Sequence, residues 1–152
     1  METRASVYKL NRPAVDAIVA VNKQLTGIDP RLRELINLRV SQINGCVYCV
    51  DMHSNEARAA GETQQRIDCL VAWDESEMFS DAERAALHWA ESLTHVSQTH
   101  APDDAYQALT AHFSEKQIVD LTLIIACINA WNRIAIGHRT QPARRQQTEV
   151  HA

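Results

Sequence analysis

Asp29-Pro30-Arg31-Leu32-Arg33-Glu34-Leu35-Ile36-Asn37-Leu38-Arg39-Val40-Ser41-Gln42-Ile43-Asn44-Gly45-Cys46-Val47-Tyr48-Cys49-Val50-Asp51-Met52-His53 is a helix, a break and the start of a second helix. Asp29 and Pro30 supply an N-cap and a first-turn proline, so the first helix opens there and runs to about Ile43. Asn44-Gly45 breaks it. The next helix runs from the cysteine pair to about Ala60, with Gly61 placed to end it in the left-handed conformation. Cys46 and Cys49 then lie at a helix start, where orphan N–H groups and the macrodipole stabilise a thiolate. His53 follows Cys49 by four positions and shares its helix face, with Cβ atoms roughly 5–6 Å apart. Two thiols and an imidazole therefore fall within one helical turn of each other.

The same punctuation recurs outward from this stretch. Pro13 opens a helix to about Thr26, with Val15, Ile18, Val19, Asn22 and Leu25 at helical spacing and Gly27 as its stop. Thr63 caps a short helix to Trp73, and Ser80 with Glu83 forms a capping box for another ending near Val96. Ala101-Pro102 begins a sixth, and a second capping box, Ser114 with Gln117, starts a long last helix to Ile136 with Gly137 after it. No run alternates β-branched and polar residues, and no Asn-Gly or Asp-Gly hairpin turn occurs. The expected fold is an all-α, single-domain bundle of about six to seven helices. The domain spans 1–152, with a core of about 13–137 and a polar tail at 139–152. The last helix is apolar nearly all round and is expected to be buried, within the bundle or against another subunit.

With 152 residues, a net charge of −4 and 45% hydrophobic content, the chain can bury a real core and lacks the basic excess of a nucleic-acid or anionic-membrane binder. The basic cluster Arg139, Arg144 and Arg145 reads as part of a solvated tail. Charges run through residues 1–13, so no signal peptide is read and a cytoplasmic location is expected. Ile118 to Ile136 is interrupted by Asp120, Asn129, Asn132 and Arg133, which fits a buried helix rather than a membrane span. Four cysteines in such a chain are not a disulfide framework. Spacing carries the information.

A dithiol at this spacing can reduce a peroxide: one thiolate attacks oxygen and becomes a sulfenic acid, and the second condenses with it to a disulfide. The proton traffic needs a group titrating near neutrality, for which His53 is the candidate. A zinc site is the chemical rival, but Cys46, Cys49 and His53 make only three ligands and a closed structural site needs four. A thioredoxin-like protein is excluded by the missing βαβ pattern. Cys69 and Cys127 read as buried free cysteines. His88, His95, His100 and His112 read as surface or capping residues, and Trp73, Trp89 and Trp131 as core packing. Asn129, Asn132 and Arg133 form a polar stripe on the last helix, which reads first as a subunit contact and second as lining of the site. Glu34, taken alone, is an ordinary helix-surface glutamate.

Glu34, eleven residues, Cys46-x-x-Cys49, three residues and His53 together resemble the core motif of alkylhydroperoxidase D-like proteins, within the larger carboxymuconolactone decarboxylase family. The likeness extends to Ile43-Asn44-Gly45, to Ser54 through Gly61 and to Ile128-Asn129-Ala130-Trp131-Asn132-Arg133. It implies an all-helical fold assembled as trimers or hexamers. It also implies a thiol-dependent peroxidase that uses no metal, haem or flavin and is recycled by an external dithiol donor. By the resemblance, Cys49 is the peroxidatic thiol, Cys46 resolves, His53 shuttles the proton and Glu34 acts behind His53 through a water. Tyr48 departs from the pattern, because well-characterised peroxidase members carry a histidine there, and it is taken as a substrate-binding residue. The decarboxylase branch does not depend on a cysteine pair, so a lactone decarboxylase is disfavoured. Another enzyme of the same fold, acting on a small lactone or carbonyl substrate, and a non-catalytic redox sensor are the alternatives.

Overall fold

The structure, a computed structural model, describes residues 2–144; Arg145 and the remainder of the expected tail lie outside the described residues. Helices follow the capping signals closely. They are α1 (Val7–Leu10), α2 (Arg12–Gln24), α3 (Pro30–Asn44), α4 (Val47–Ala59), α5 (Gln64–Cys69), α6 (Asp81–Thr94), α7 (Val96–Thr99), α8 (Asp103–Thr110) and α9 (Glu115–His138). A 3₁₀ turn, Leu70–Glu75, follows α5 across a kink at Ala72, and no strand occurs among the described residues. The fold is all-α, as expected, and the count exceeds six or seven because the short α1 and α7 carry no periodic signal.

Each long helix starts where its cap predicts. Asp29 Oδ1 accepts the N–H groups of Arg31 and Leu32, and both capping boxes, Ser80 with Glu83 and Ser114 with Gln117, close reciprocally. α3 is the central element. Its Leu32, Ile36 and Val40 pack into one core cluster with Ala86, Ala90, Leu121, Ile124 and Ile125 of α6 and α9, while Leu35 and Leu38 pack into a second with Ile67, Leu70, Trp73 and Leu87. Burial of α3 on both sides holds α4 and α9 in fixed positions against it.

α9 is long and apolar enough to cross a membrane by length and composition, yet it packs against α3 and α6, with Val119, Leu123 and Ile136 left exposed on it. Three expectations change. Cys69 and Cys127 are half-buried rather than buried, since each sits at the edge of its helix's packed face. α9 continues through Gly137 and closes on Arg139 at φ +55°, so that glycine is not its stop. Gly27 is not a helix stop either: α2 ends at Gln24 with Leu25 as its C-cap, and Asp120 of α9 lies against Gly27.

Gly27 N–H donates to Asp120 Oδ2 at 3.2 Å, and a Cβ built on Gly27 would sit 2.6 Å from that same oxygen. Asp120 is buried and paired with Lys116, so it has little room to yield. Gly27→Ala is expected to destabilise the protein by about 1–3 kcal/mol, the usual cost of overpacking a tight site. Urea unfolding monitored by circular dichroism checks this; an unchanged midpoint would show that Asp120 swings aside freely.

Candidate functional site: a buried dithiol beside a doubly clamped histidine

The turn between α3 and α4 sets the site. Gly45 caps α3 at φ +69°, where a side chain would be strained, and the N–H of Cys46 returns to Ser41 O at 3.0 Å. Cys46 thereby becomes the N-cap of α4, and its Sγ accepts the N–H of Cys49 at 3.4 Å. Asn132, fully buried on α9, donates to Ser41 Oγ at 3.1 Å and accepts from Asn44 Nδ2 at 2.9 Å. The same Asn44 amide reaches Asn129 Oδ1 at 3.0 Å, and Asn129 donates to Thr94 Oγ1 at 3.2 Å. The two amides of the α9 polar stripe therefore tie the chain to itself, Asn132 to α3 and Asn129 to α3 and α6. Arg133, at its exposed end, only braces Asn129.

His53 is 6% exposed, and its Nδ1 lies 2.7 Å from Glu34 Oε2 and 3.2 Å from Glu56 Oε2. Glu34 touches His53 directly rather than through a water, and its other oxygen accepts Asn37 Nδ2 at 3.3 Å. With Nδ1 committed to carboxylates, Nε2 is left buried without a hydrogen-bond partner in the chain, on the helix face that carries Cys49 one turn earlier. Burial alone would lower the pKa of His53. Hydrogen bonds and charge from Glu34 and Glu56 outweigh it and raise the group to about 9. That shift keeps the imidazole protonated at neutral pH, which suits it to donate a proton.

The two thiols share a hydrogen bond and divide their protons unequally. The hydrogen bond from Cys49 lowers Cys46 against the opposing effect of burial, and the Cys49 amide, the Asn132 side chain and the charge of His53 bring it to about 7. Cys49 is pushed up, first by its hydrogen bond to Cys46, then by burial and by the charge on Cys46. The pair titrates as a unit, with the first negative charge resting on Cys46. Access runs the other way. Cys49, but not Cys46, lines a cavity of about 1180 Å³, together with Glu34, Tyr48, His53 and Glu56.

The ligand atoms of Glu34, His53 and Glu56 lie within 4.8 Å of one another, a spacing a divalent cation could use. Such an ion would have to displace the proton that both carboxylates hold on Nδ1. Of the residues singled out in the sequence, the structure brings Glu34, Cys46, Cys49, His53 and Tyr48 into one site, while Cys69 and Cys127 line no part of its cavity. Sequence reading missed Glu56, although its i, i+3 spacing to His53 was available. It also missed Tyr8, which lies before the first helix recognised. Trp73 and Trp89 are core residues, but Trp131 is half-buried on the cavity wall.

Residues 13–92 match the model of the carboxymuconolactone decarboxylase family. The chain is 43% identical over 139 residues to the uncharacterized protein YdfG of Bacillus subtilis, covering 90% of this chain and 95% of that one. It is 44% identical to the alkyl hydroperoxide reductase AhpD of Bradyrhizobium diazoefficiens over 45 residues, 30% of this chain and 25% of that protein. Among solved structures it resembles a protein of unknown function from Agrobacterium tumefaciens, a candidate antioxidant defence protein AhpD, with a TM-score of 0.91 and 42% identity over 95% of this chain and 100% of that one. On these grounds the chain belongs to the carboxymuconolactone decarboxylase family, in an AhpD-like, all-α form.

Proposed function

We propose that the protein is a thiol-dependent peroxidase that reduces organic hydroperoxides through a Cys46–Cys49 dithiol and disulfide couple. The observation that carries this reading is that Cys49 lies on the cavity wall while its hydrogen-bonded neighbour Cys46 lies behind it, beside a histidine held cationic by two carboxylates.

The cycle balances with these groups alone. The Cys46 thiolate takes the proton of Cys49 along the hydrogen bond they share. The Cys49 thiolate attacks the distal oxygen of ROOH, the O–O bond breaks, and the departing RO⁻ takes a proton from the His53 imidazolium to leave as ROH. Cys46, now a thiol, attacks the sulfur of the Cys49 sulfenic acid and forms the disulfide, and water leaves. An external dithiol reduces that disulfide and is itself oxidised. Cys46 then returns a proton to His53, and both start again as thiolate and imidazolium. Glu34, half-buried and braced by Asn37, orients the ring, and Glu56 adds the second charge that keeps it protonated.

No metal, haem or flavin takes part in this cycle. A homo-oligomer, trimer or hexamer, is part of the same reading, and Val119 and Leu123 of α9 offer an exposed apolar face for a second copy to cover. The expected setting is cytoplasmic, where thiol donors are kept reduced.

One equivalent of cumene hydroperoxide added to fully reduced protein is expected to remove two thiols and two hydrogens, with the Cys46–Cys49 link found by peptide mapping. Cys46→Ser removes both the base and the resolving thiol, so the sulfenic acid at Cys49 is expected to form slowly and then to persist for trapping by dimedone; His53→Ala is expected to slow the first step by about 10²–10⁴-fold, the usual range for losing a positioned acid. Survival of all thiols would end the peroxidase reading and turn attention to lactone and carbonyl substrates. Disulfide formation without repeated turnover, given an excess dithiol, would favour a redox sensor.

The same assignment fixes a pH profile. Single-turnover rate is expected to rise through about pH 7, as Cys46 becomes a thiolate, and to fall through about pH 9, as His53 loses its proton. In Glu56→Gln the alkaline limb is expected to move to lower pH, because one of the two charges holding the imidazolium is gone. An alkaline limb that stays in place would remove Glu56 from the site.

A further inference from the structure

Residues ahead of α2 lie before the family-matched region, which starts at residue 13, yet several of them line the same cavity as Cys49. This N-terminal strap is fastened at its root to the last turn of α9. Arg4 donates its N–H to His138 O at 3.1 Å and its Nη1 to Gly137 O at 3.0 Å, and His138 Nδ1 donates to Ala5 O at 2.7 Å. Beyond that root, α1 contains no buried residue, so it adds nothing to either core cluster. What lies beneath it is the cavity.

Tyr8 on α1 is 50% exposed and lines the cavity with Tyr48 and Cys49, with Met52 and Trp131 elsewhere on its walls. Its phenol is raised above its ordinary pKa, first by partial burial and then by Tyr48 and Cys49, which line the same cavity. The cavity of about 1180 Å³ exceeds the roughly 300–1,000 Å³ usual for a small-molecule site. It is far larger than hydrogen peroxide needs, since a water-sized molecule takes up roughly 30 Å³.

We infer that Tyr8 is a substrate-binding residue: the strap presents its ring as the wall against which the hydrocarbon part of a bulky hydroperoxide packs beside Cys49. For its catalytic consequence this rests on the peroxidase reading; for binding it does not. Selectivity between large and small peroxides is then set by a segment outside the cysteine motif. An aromatic face half-closing an apolar cavity is worth about tenfold in affinity for a ligand with a ring of its own.

The test uses the full-length protein. Cumyl alcohol, the product of cumene hydroperoxide, is titrated by calorimetry into Cys49→Ser protein with and without Tyr8→Ala or Tyr8→Phe. Tyr8→Ala is expected to weaken binding about tenfold and Tyr8→Phe to restore it. Tyr8 is half exposed, so neither change threatens folding. In the protein with both cysteines, Tyr8→Ala is expected to lower the ratio of kcat/KM for cumene hydroperoxide over that for hydrogen peroxide by about the same factor, through KM. Cumyl alcohol that does not bind the Cys49→Ser protein, or binds it equally well without the Tyr8 ring, overturns the inference. So does an unchanged ratio between the two peroxides. Wild-type protein that reduces neither peroxide defeats the peroxidase reading instead, and the calorimetry still decides Tyr8.

Discussion

Everything at the site depends on the single-residue reversal at Gly45 and on what holds it. The left-handed glycine lets the Cys46 amide turn back to Ser41, and Asn132 then bonds both the Ser41 hydroxyl and the Asn44 side chain from across the bundle. The tie is stiff less because of what each bond contributes than because of what breaking one costs. A buried amide left unpaired loses about 1–3 kcal/mol, so the turn has no cheap alternative. α3 is packed on both sides by core clusters, and α9 carries Asn132 at a depth where nothing is exposed. The position of Cys46 follows from that framework, and the position of Cys49 follows from Cys46.

The second constraint is electrostatic. A histidine as buried as His53 should be neutral, because removing an ion from water costs more than one ordinary hydrogen bond returns. Two carboxylates on one nitrogen reverse the outcome, one inside at 14% side-chain exposure and one at the rim at 51%. The resulting cation lowers the cost of a thiolate at Cys46. This arrangement also enters the stability of the fold. The pKa of His53 is raised from its ordinary 6.5 to about 9, so its contribution is complete below about 6.5 and is lost as pH rises through about 9.

What the sequence made legible was short in range. Capping boxes at Ser80 and Ser114, the Asp29 cap and the helix break at Gly45 are each decided within four residues, and the structure places them where the pattern does. Glu34 could be joined to the site only by resemblance, since nineteen positions separate it from His53 and no periodicity reports which face of α3 meets α4. Gly27 was misread for the opposite reason: a glycine looks like a helix stop whether its smallness serves the backbone or a neighbour such as Asp120. Tyr8 left no sequence signal at all. It reaches the cavity only because Arg4 and Ala5 bond the end of α9, a contact spanning 133 positions.

The departure at Tyr48 looks different once these charges are placed. A phenol with an ordinary pKa of about 10 cannot take a proton from a thiol at neutral pH, and if a side chain between the cysteines had to do so, the site would be defective. In the proposed cycle the base for Cys49 is already present in the pair. Cys46 carries the first negative charge, held by its neighbour Cys49, whose amide donates to it at 3.4 Å, by Asn132 and by the cation at His53. The residue between the cysteines is thereby released from proton transfer. Tyr48 lines the cavity beside Cys49, where an aromatic ring with one polar tip is suited to packing against a substrate and bonding its oxygen. Under the proposed function, the substitution changes what the cavity accepts and leaves the sulfur chemistry intact.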